Sequence, residues 1–330
     1  MAIHIQRRQF ITLLSSAAAV WPFAARAQQG GRLPTIGFLG ASTPSASAPW
    51  VAALVQRLRE LGWVEGRTAT IEYRWAEGRT ERFAEIAAEF VRLKVDVIVT
   101  HSAGPVIAAK QATSIIPIVF AAVGDPVGTG LVANLARPGG NVTGLSVQQS
   151  DIAGKRLELL REVVPGLRRL AILANIGNPN SVLEMGEVKA VASALSFEAA
   201  TIEVRQAEDI VRAFQVAKGR VDALYVCTEP LVFTNRNRIS ILAAAAQLPT
   251  MFGAREYVEA GGPISYGANA PGLFRRAGEF VDKILRGTKP GDLPVEQPTK
   301  FDVVINLTTA NALGLTTPES FLLRADEVIE

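Results

Sequence analysis

The sequence has 330 residues, 48% of them hydrophobic and 7% aromatic, and a formal net charge of +3. This composition excludes a disordered or fibrous chain and favours a globular α/β protein. The first 27 residues hold three of the 34 basic residues and no acidic one, so 31 basic and 31 acidic residues remain without them. A neutral chain lacks the basic face that is typical of nucleic-acid-binding proteins, and we expect no nucleic-acid partner.

Residues 1–27 have the pattern of a bacterial export signal. Arg7 and Arg8 precede a moderately apolar run at 10–20, and an Ala-Arg-Ala sequence follows at 25–27. This order predicts a twin-arginine signal peptide with a cleavage site, and therefore a periplasmic product. The apolar run is shorter than the roughly 20 residues that a membrane span needs. The alternative interpretation is an amphipathic first helix.

The counts of cysteine and histidine limit the chemistry of the remaining chain. Cys227 is the only cysteine, so an internal disulfide is excluded, and its apolar neighbours favour a buried side chain over a reactive thiol. His101 is the only histidine after the export signal. We therefore expect no zinc or copper site. The glycine-rich nucleotide-binding motifs and the G-x-S-x-G sequence of hydrolases are absent, and we expect no cofactor and no catalytic residues.

From residue 34 onward, short apolar strands alternate with amphipathic helices. Val51, Leu54, Val55 and Leu58 recur at the spacing of one helix face, and Thr80 is a candidate N-cap for the next helix. In the first half, strands are predicted at 34–40, 68–77, 95–102 and 117–125, with helices at 51–61, 80–93 and 104–113. The strands are nearly continuous in apolar residues, which indicates a parallel sheet covered on both faces.

The same alternation begins again after a segment rich in proline and glycine at 136–144. In the second half, helices are predicted at 151–164, 180–195, 207–219 and 236–247, with strands at 168–176, 200–205, 222–229 and 249–254. Residues 261–272 are expected to return the chain to the first half before a last strand at 300–306. The fold class is therefore α/β, with two doubly wound parallel-sheet lobes, a hinge and a cleft between the lobes.

Polar residues follow the predicted strands, at the sheet edge where open α/β proteins bind ligands. Facing one another across a cleft, they would surround a small polar molecule, with Trp50 and Tyr266 as candidates for flat apolar walls. The candidates after the strands are Ser42, Thr43, His101, Ser102, Asp125, Asn175, Asn178, Thr228, Glu229 and Arg255.

Several of these residues allow a structural interpretation beside the functional one. Ser102 caps a helix whose N-terminus either attracts a carboxylate or carries no ligand. Asp125 either pairs with a ligand ammonium group or caps the turn after it. His101 either contacts the ligand or is simply packed, and Trp50 also suits core packing.

Several segments resemble the bacterial ABC transporter substrate-binding proteins of the tryptophan/tyrosine-uptake type. The resemblance is carried by residues 36–40, 63–78, 116–127, 130–144, 155–165 and 306–330. It implies a type I periplasmic-binding-protein fold with a hinge, an amino acid or aromatic acid as ligand, a membrane permease as partner, and a monomer. By position only, the resemblance implies that five residues contact the ligand: Ser42, Ser102, Asp125, Asn178 and Glu229.

The resemblance also suggests lobe limits. We expect one lobe to contain residues 33–145 and about 271–300, and the other to contain 146–270 and about 301–330. Two alternatives to transport remain open at this point, namely a periplasmic enzyme acting on small acids and a ligand-sensing partner of a membrane receptor. A gene regulator of the related sugar-repressor type would need a DNA-binding motif where the export signal stands.

Overall fold

Two β-sheets, each covered by helices on both faces, organise the chain. The computed structural model describes residues 32–330, so the predicted signal peptide at 1–27 lies outside the described residues. All the elements below belong to the unit Pro34–Glu330. Within the described part of the chain, no helix combines the length and the hydropathy that a membrane span requires.

The first sheet is entirely parallel and has the strand order β2-β1-β3-β4-β5. Side chains alternate between its two faces, and helices bury both, which explains why the strand sequences are apolar throughout. Its strands are β1 Thr35–Gly40, β2 Thr70–Trp75, β3 Val97–Thr100, β4 Ile118–Val123 and β5 Val142–Ser146. The sequence analysis missed β5, because it treated the glycine-rich segment before that strand as a linker.

Three helices connect the strands of the first sheet: α1 Pro44–Glu60, α2 Arg82–Leu93 and α3 Ala103–Ala112. Helix α1 begins where the Thr43 hydroxyl accepts a hydrogen bond from the Ala46 amide, with a proline at the first helical position. The prediction that Thr80 caps α2 is wrong, because Glu81 occupies the N-cap position without a side-chain bond. The Thr80 carbonyl instead accepts from the Phe83 amide, in a turn that leads into α2.

The second sheet has seven strands in the order β12-β11-β10-β9-β8-β6-β7. Five of its strands, in the order β7-β6-β8-β9-β10, have the same topology as the five strands of the first sheet. The predicted fold of two similar parallel-sheet lobes is therefore confirmed. One difference is that β10 and β11 pair in antiparallel fashion. The strands are β6 Arg169–Asn175, β7 Glu198–Val204, β8 Ala223–Val226, β9 Thr250–Phe252, β10 Ile264–Ala268, β11 Phe301–Asn306 and β12 Glu327–Ile329.

The helices of the second half include several short ones that the periodicity did not predict. The two longest begin at capping side chains that precede the first turn, Asn178 at the start of α5 and Asn269 at the start of α10. The helices are α4 Ala153–Val163, α5 Pro179–Ala194, α6 Asp209–Ala217, α7 Pro230–Thr234, α8 Arg236–Ala245, α9 Arg255–Glu259, α10 Ala270–Leu285, α11 Leu307–Ala312 and α12 Glu319–Leu322, with a 3-10 turn at Pro290–Asp292.

Helix α10 follows a strand of the second sheet but packs on the first, against α1 and β4. Its Phe274 is fully buried, with ring centroids 5.5 Å from Trp50 and 6.5 Å from Phe38. The chain then runs beside β5, where the Ser146 amide donates to the Glu296 carbonyl, before it enters β11. Three segments therefore cross between the two sheets, which is the arrangement that a hinge requires.

The packing of α10 yields a stability prediction. We expect Phe274→Ala to lower the free energy of unfolding by about 3–5 kcal/mol, because it removes a ring that joins α10 to the first lobe and leaves a cavity. Urea denaturation of the purified protein measures the change. Ile115→Ala is the control, since Ile115 is 86% exposed and its removal should change stability by no more than about 0.5 kcal/mol. Equal effects of the two substitutions would contradict the role given to α10.

Candidate functional site

A cavity of about 100 Å³ lies between the carboxyl ends of the two sheets. Both lobes contribute to its lining, as expected at the sheet edge where strand order reverses. The lining residues are Trp50, His101, Ser102, Ala122, Gly124, Val147, Gln149, Arg156, Asn180, Thr228, Glu229, Pro230, Phe233, Gly253, Ala254, Ala268 and Ala270. Of the candidates named from the sequence, His101, Ser102, Thr228, Glu229 and Trp50 are in this set.

The apolar part of the lining includes two aromatic rings, one from each lobe. Trp50 on α1 and Phe233 on α7 lie with ring centroids 4.6 Å apart and planes inclined by 31°. The indole Nε1 of Trp50 donates to Glu256 Oε1 on α9 at 2.5 Å, so Trp50 joins the lobes as well as lining the cavity. Burial raises the pKa of the Glu256 carboxyl. Phe233 was not foreseen, because nothing in its sequence context distinguishes it from a core residue.

Ser102 stands at the N-terminus of α3 in an unusual conformation. Its φ is 66° and its ψ is 155°, which is a region that favours glycine. Ser102 occupies the N-cap position of α3 as predicted, but its hydroxyl makes no capping hydrogen bond. That hydroxyl accepts instead from Asn178 Nδ2 of the other lobe at 3.4 Å. The first turn of α3 therefore faces the cavity region without a side-chain cap.

Glu229 lines the cavity and also caps α7. Its Oε1 accepts from the Val232 amide at 2.6 Å, and its Oε2 accepts from Asn175 Nδ2 at 2.9 Å. Burial raises the pKa of the Glu229 carboxyl, while the two donors lower it. Thr228, the residue before it, has a buried hydroxyl oxygen without a hydrogen-bond partner among the described residues.

A buried ion pair on the second lobe supports the polar side of the cavity. Arg156 Nη1 on α4 donates to Glu184 Oε1 on α5 at 2.5 Å, and their side chains are 3% and 0% exposed. Arg156 Nε donates to the Tyr266 carbonyl at 2.7 Å. Gln149 donates to both Glu184 Oε2 and, at 2.8 Å, the Thr228 carbonyl. The pair thus fixes several segments that border the cavity.

The sequence analysis overlooked this ion pair although a signal was present. Arg156 falls on the face of α4 that also buries Ala153, Leu157 and Leu160. A charged residue at a core position of a helix is almost never buried without a partner. Glu184 occupies the equivalent place on α5, four residues before buried Val188. Gln149, which lies in a crossing segment, carried no such signal.

The remaining sequence candidates do not line the cavity, and most have local structural roles. Ser42 pairs with the Ser47 hydroxyl, and Thr43 caps α1. Asp125 accepts from the Val127 and Gly128 amides, so it caps the turn after β4. Asn175 donates to Glu229, and Asn178 caps α5. The ring of Tyr266 packs on Phe301. Arg255 pairs with Glu259 and Glu327.

Two further features bear on the chemistry of the site. Cys227 is fully buried, as predicted, and burial raises the pKa of its thiol well above the ordinary value. In the described part of the chain, no cluster of three or more His, Cys, Asp or Glu side chains is arranged to hold a metal ion. The polar groups at the cavity are suited to hydrogen bonding and charge pairing with a small molecule.

Direct contacts hold the two lobes together around the cavity. Besides the Trp50–Glu256 and Ser102–Asn178 bonds, the Asp125 amide donates to Asn180 Oδ1 at 3.3 Å. A Cβ added to Gly124 would lie 2.9 Å from the Asn180 side chain, so this close approach requires glycine. These contacts describe a closed cleft.

The ion pair predicts a large effect of removing one charge. Arg156→Met should lower the free energy of unfolding by about 3–5 kcal/mol, because Glu184 would stay buried without its partner. Arg169→Met is the matched control, since the pair of Arg169 with Asp222 is partly exposed and should contribute about 0–1 kcal/mol. Urea denaturation of both variants measures the difference, and similar losses would refute the distinction.

The indole bond across the cleft predicts a change in lobe separation. Trp50→Phe keeps a ring beside Phe233 but loses the donor to Glu256, so the closed population should fall about tenfold relative to the open one. Distances between spin labels at exposed Glu85 and Lys189 report the two populations. Trp63→Phe is the control, because Trp63 Nε1 bonds Asp282 on α10, away from the cleft. An unchanged distance distribution in Trp50→Phe would contradict the prediction.

The chain is similar to known proteins over most of its length. A family model described as ABC transporter substrate binding protein matches residues 44–329. The tyrosine-binding protein of Clostridioides difficile strain R20291 is 29% identical over 261 residues, which are 79% of this chain and 75% of that protein.

Two solved structures of relatives are 28% identical to this chain. The ABC domain in complex with L-Trp from Streptococcus pneumonia has a TM-score of 0.85 and covers 90% of this chain and 100% of its own. The ligand-free, open structure of a substrate-binding protein with adhesive properties from Clostridium difficile has a TM-score of 0.65. It covers 90% of this chain and 99% of its own. The weaker match is to the structure described as open, in agreement with the closed cleft described above. The chain belongs to the ABC transporter substrate-binding protein family.

Proposed function

We propose that this protein captures an amino acid or aromatic acid outside the cytoplasm and delivers it to a membrane permease. The observation that carries the proposal is the cavity between the lobes, which joins an aromatic wall to groups suited to both charges of an amino acid. The relatives described as binding tyrosine and L-Trp support an aromatic ligand. The protein would bind its ligand without altering it, and no catalytic residue is assigned.

The aromatic ring of the ligand would lie against Trp50 and Phe233. The indole N–H of Trp50 is already used by Glu256, so Trp50 offers the ligand an apolar surface rather than a hydrogen bond. Aromatic pairs in such offset or tilted arrangements contribute about 0.5–1.5 kcal/mol beyond the burial of their area. This part of the cavity favours a flat ring over a sugar.

The charged groups of an amino acid would bind at opposite sides of the cavity. The uncapped N-terminus of α3, beside Ser102, suits a carboxylate, because backbone amides and the helix dipole both favour negative charge there. Glu229 suits an ammonium group, since a carboxylate oxygen can accept more than one hydrogen bond. The ligand would thus be held by both lobes at once.

Contact with both lobes is what would couple binding to closure. A ligand shifts the equilibrium between open and closed forms only by its difference in affinity for them. Trp50, His101 and Ser102 belong to the side of the first sheet, while Glu229 and Phe233 belong to the second. The lobes proposed to move are residues 33–145 with about 271–300, and 146–270 with about 301–330.

The proposal includes an export route and partners. The signal at 1–27 would direct the folded protein to the periplasm by the twin-arginine pathway, where cleavage would release a monomer. The closed protein would then dock on the permease of an ABC transporter. Neither nucleic acid nor a cofactor has a part in this function.

Titration calorimetry of the purified protein tests the ligand class. We expect L-tryptophan or L-tyrosine to bind, and Glu229→Gln to weaken that binding by about tenfold or more through loss of a charge-assisted hydrogen bond. The same variant should bind indole-3-acetate as the wild type does, since that acid has no ammonium group. Glu198→Gln, at an exposed position, is the control. Absence of binding by all three compounds, or their chemical conversion, would overturn the proposal.

A further inference from the structure

His101 lies at a constrained position between the first sheet and the cavity. It follows β3, is 6% exposed and is one of the residues that line the cavity. The parallel pairing of β3 with β1 brings its imidazole beside the chain that follows β1. The ring is enclosed by aromatic neighbours, with Phe274 at 5.6 Å and Trp50 at 5.8 Å between centroids.

One hydrogen bond determines which ring nitrogen carries the proton. The Ala41 backbone amide donates to His101 Nε2 at 3.2 Å. Since a backbone amide can only donate, Nε2 must be the acceptor, and the proton of the neutral ring is on Nδ1. Ala41 directly follows β1, whose pairing with β3 positions the chain there, and its carbonyl accepts from the Gly78 amide. The choice of nitrogen is therefore built into the fold.

The ring is also neutral. Burial lowers the pKa of His101 to about 4, because the aromatic neighbours cannot solvate an imidazolium ion. At neutral pH the side chain therefore presents one acceptor, which Ala41 uses, and one donor.

The Nδ1 donor of His101 has no hydrogen-bond partner in the part of the chain that the structure describes. Among residues 32–330, no hydrogen bond joins another group to Nδ1 of His101, whose only described bond is that of Nε2 with Ala41. His101 lines the cavity, and an N–H at the lining of a closed cavity, with no acceptor in the described part of the chain, points to an acceptor on the ligand. The uncapped N-terminus of α3 begins two residues later, and its amides are donors as well.

We infer that His101 is a specificity-determining residue that donates from Nδ1 to a carboxylate oxygen of the ligand. The inference rests on the proposed function and deepens it, since it assigns the carboxylate to the first lobe. It also predicts a preference for acids, because an amine without a carboxylate would leave the Nδ1 proton unsatisfied.

Two substitutions distinguish the role of Nδ1 from that of Nε2 in His101. The amide of His101→Gln can reach the position of Nε2 and accept from Ala41, but it supplies no donor at the position of Nδ1. The amide of His101→Asn can supply that donor but cannot reach Ala41. We expect His101→Gln to weaken L-tryptophan binding by about 10- to 100-fold, the range of a hydrogen bond to a charged group, and His101→Asn to lose much less affinity although it is less stable to urea.

Tryptamine, which lacks the carboxylate, is the matched probe. The wild-type protein should prefer L-tryptophan over tryptamine, and His101→Gln should reduce this preference by about the same 10- to 100-fold. An unchanged preference in His101→Gln would overturn the inference, because a general loss of packing would weaken both probes equally.

Nitrogen NMR of protein with isotopically labelled histidine provides a test without any ligand. The sequence contains only His4 and His101, so the buried ring is readily assigned. The signal expected for Nδ1 is that of a protonated nitrogen, and the signal expected for Nε2 is that of an unprotonated one. The opposite assignment would overturn the inference even if L-tryptophan binds. A failure of the amino acids to bind, with the expected assignment, would count against the proposed function alone.

Discussion

The buried pair of Arg156 and Glu184 is the interaction on which the second half of the cavity depends. A guanidinium and a carboxylate enclosed in a hydrophobic lobe must satisfy their remaining hydrogen-bonding groups locally. Arg156 therefore binds the carbonyl of Tyr266, and Glu184 binds the hydroxyl of Tyr225 and the amide of Gln149. Strands β8 and β10, helices α4 and α5 and one crossing segment are thereby fixed in relation to one another.

Most polar residues at the strand ends serve the helices that follow them. Thr43, Asn178 and Glu229 each cap a helix that continues with a proline, and Asp125 caps a turn. The cause is general: the first amides of a helix have no partner within it, and a strand-to-helix turn places an oxygen-bearing side chain beside them. A polar residue at this sheet edge is therefore weak evidence for a ligand contact. Glu229 both caps a helix and lines the cavity.

In the proposed function, closure and ligand recognition use the same groups. Trp50 lines the cavity, packs on Phe233 of the other lobe and bonds Glu256, so we expect a change at this side chain to alter affinity and lobe separation together. Ser102 similarly contacts Asn178 across the cleft while it borders the helix end proposed for the carboxylate. Direct bonds between lobes stabilise the closed form, and a ligand has only to supply the rest of the free energy. Where the lobes approach most closely, at Gly124, a larger residue would hold them apart.

The amino-acid sequence by itself determined the fold class, because apolar runs and helical periodicity are local patterns and the order of strands and helices leaves few topologies. It also indicated the edge at which a cleft would form, and it placed His101, Ser102, Thr228 and Glu229 there. Strands β5, β10 and β12, the short helices and the antiparallel pairing of β11 escaped it, since glycine-rich and short segments carry little periodic signal. Only the tertiary structure decided which polar groups reach the cavity, which merely cap helices, and which nitrogen of His101 carries a proton. Those properties depend on contacts between residues far apart in the chain, such as Trp50 with Glu256 and His101 with Ala41, and no local pattern encodes the distance between them.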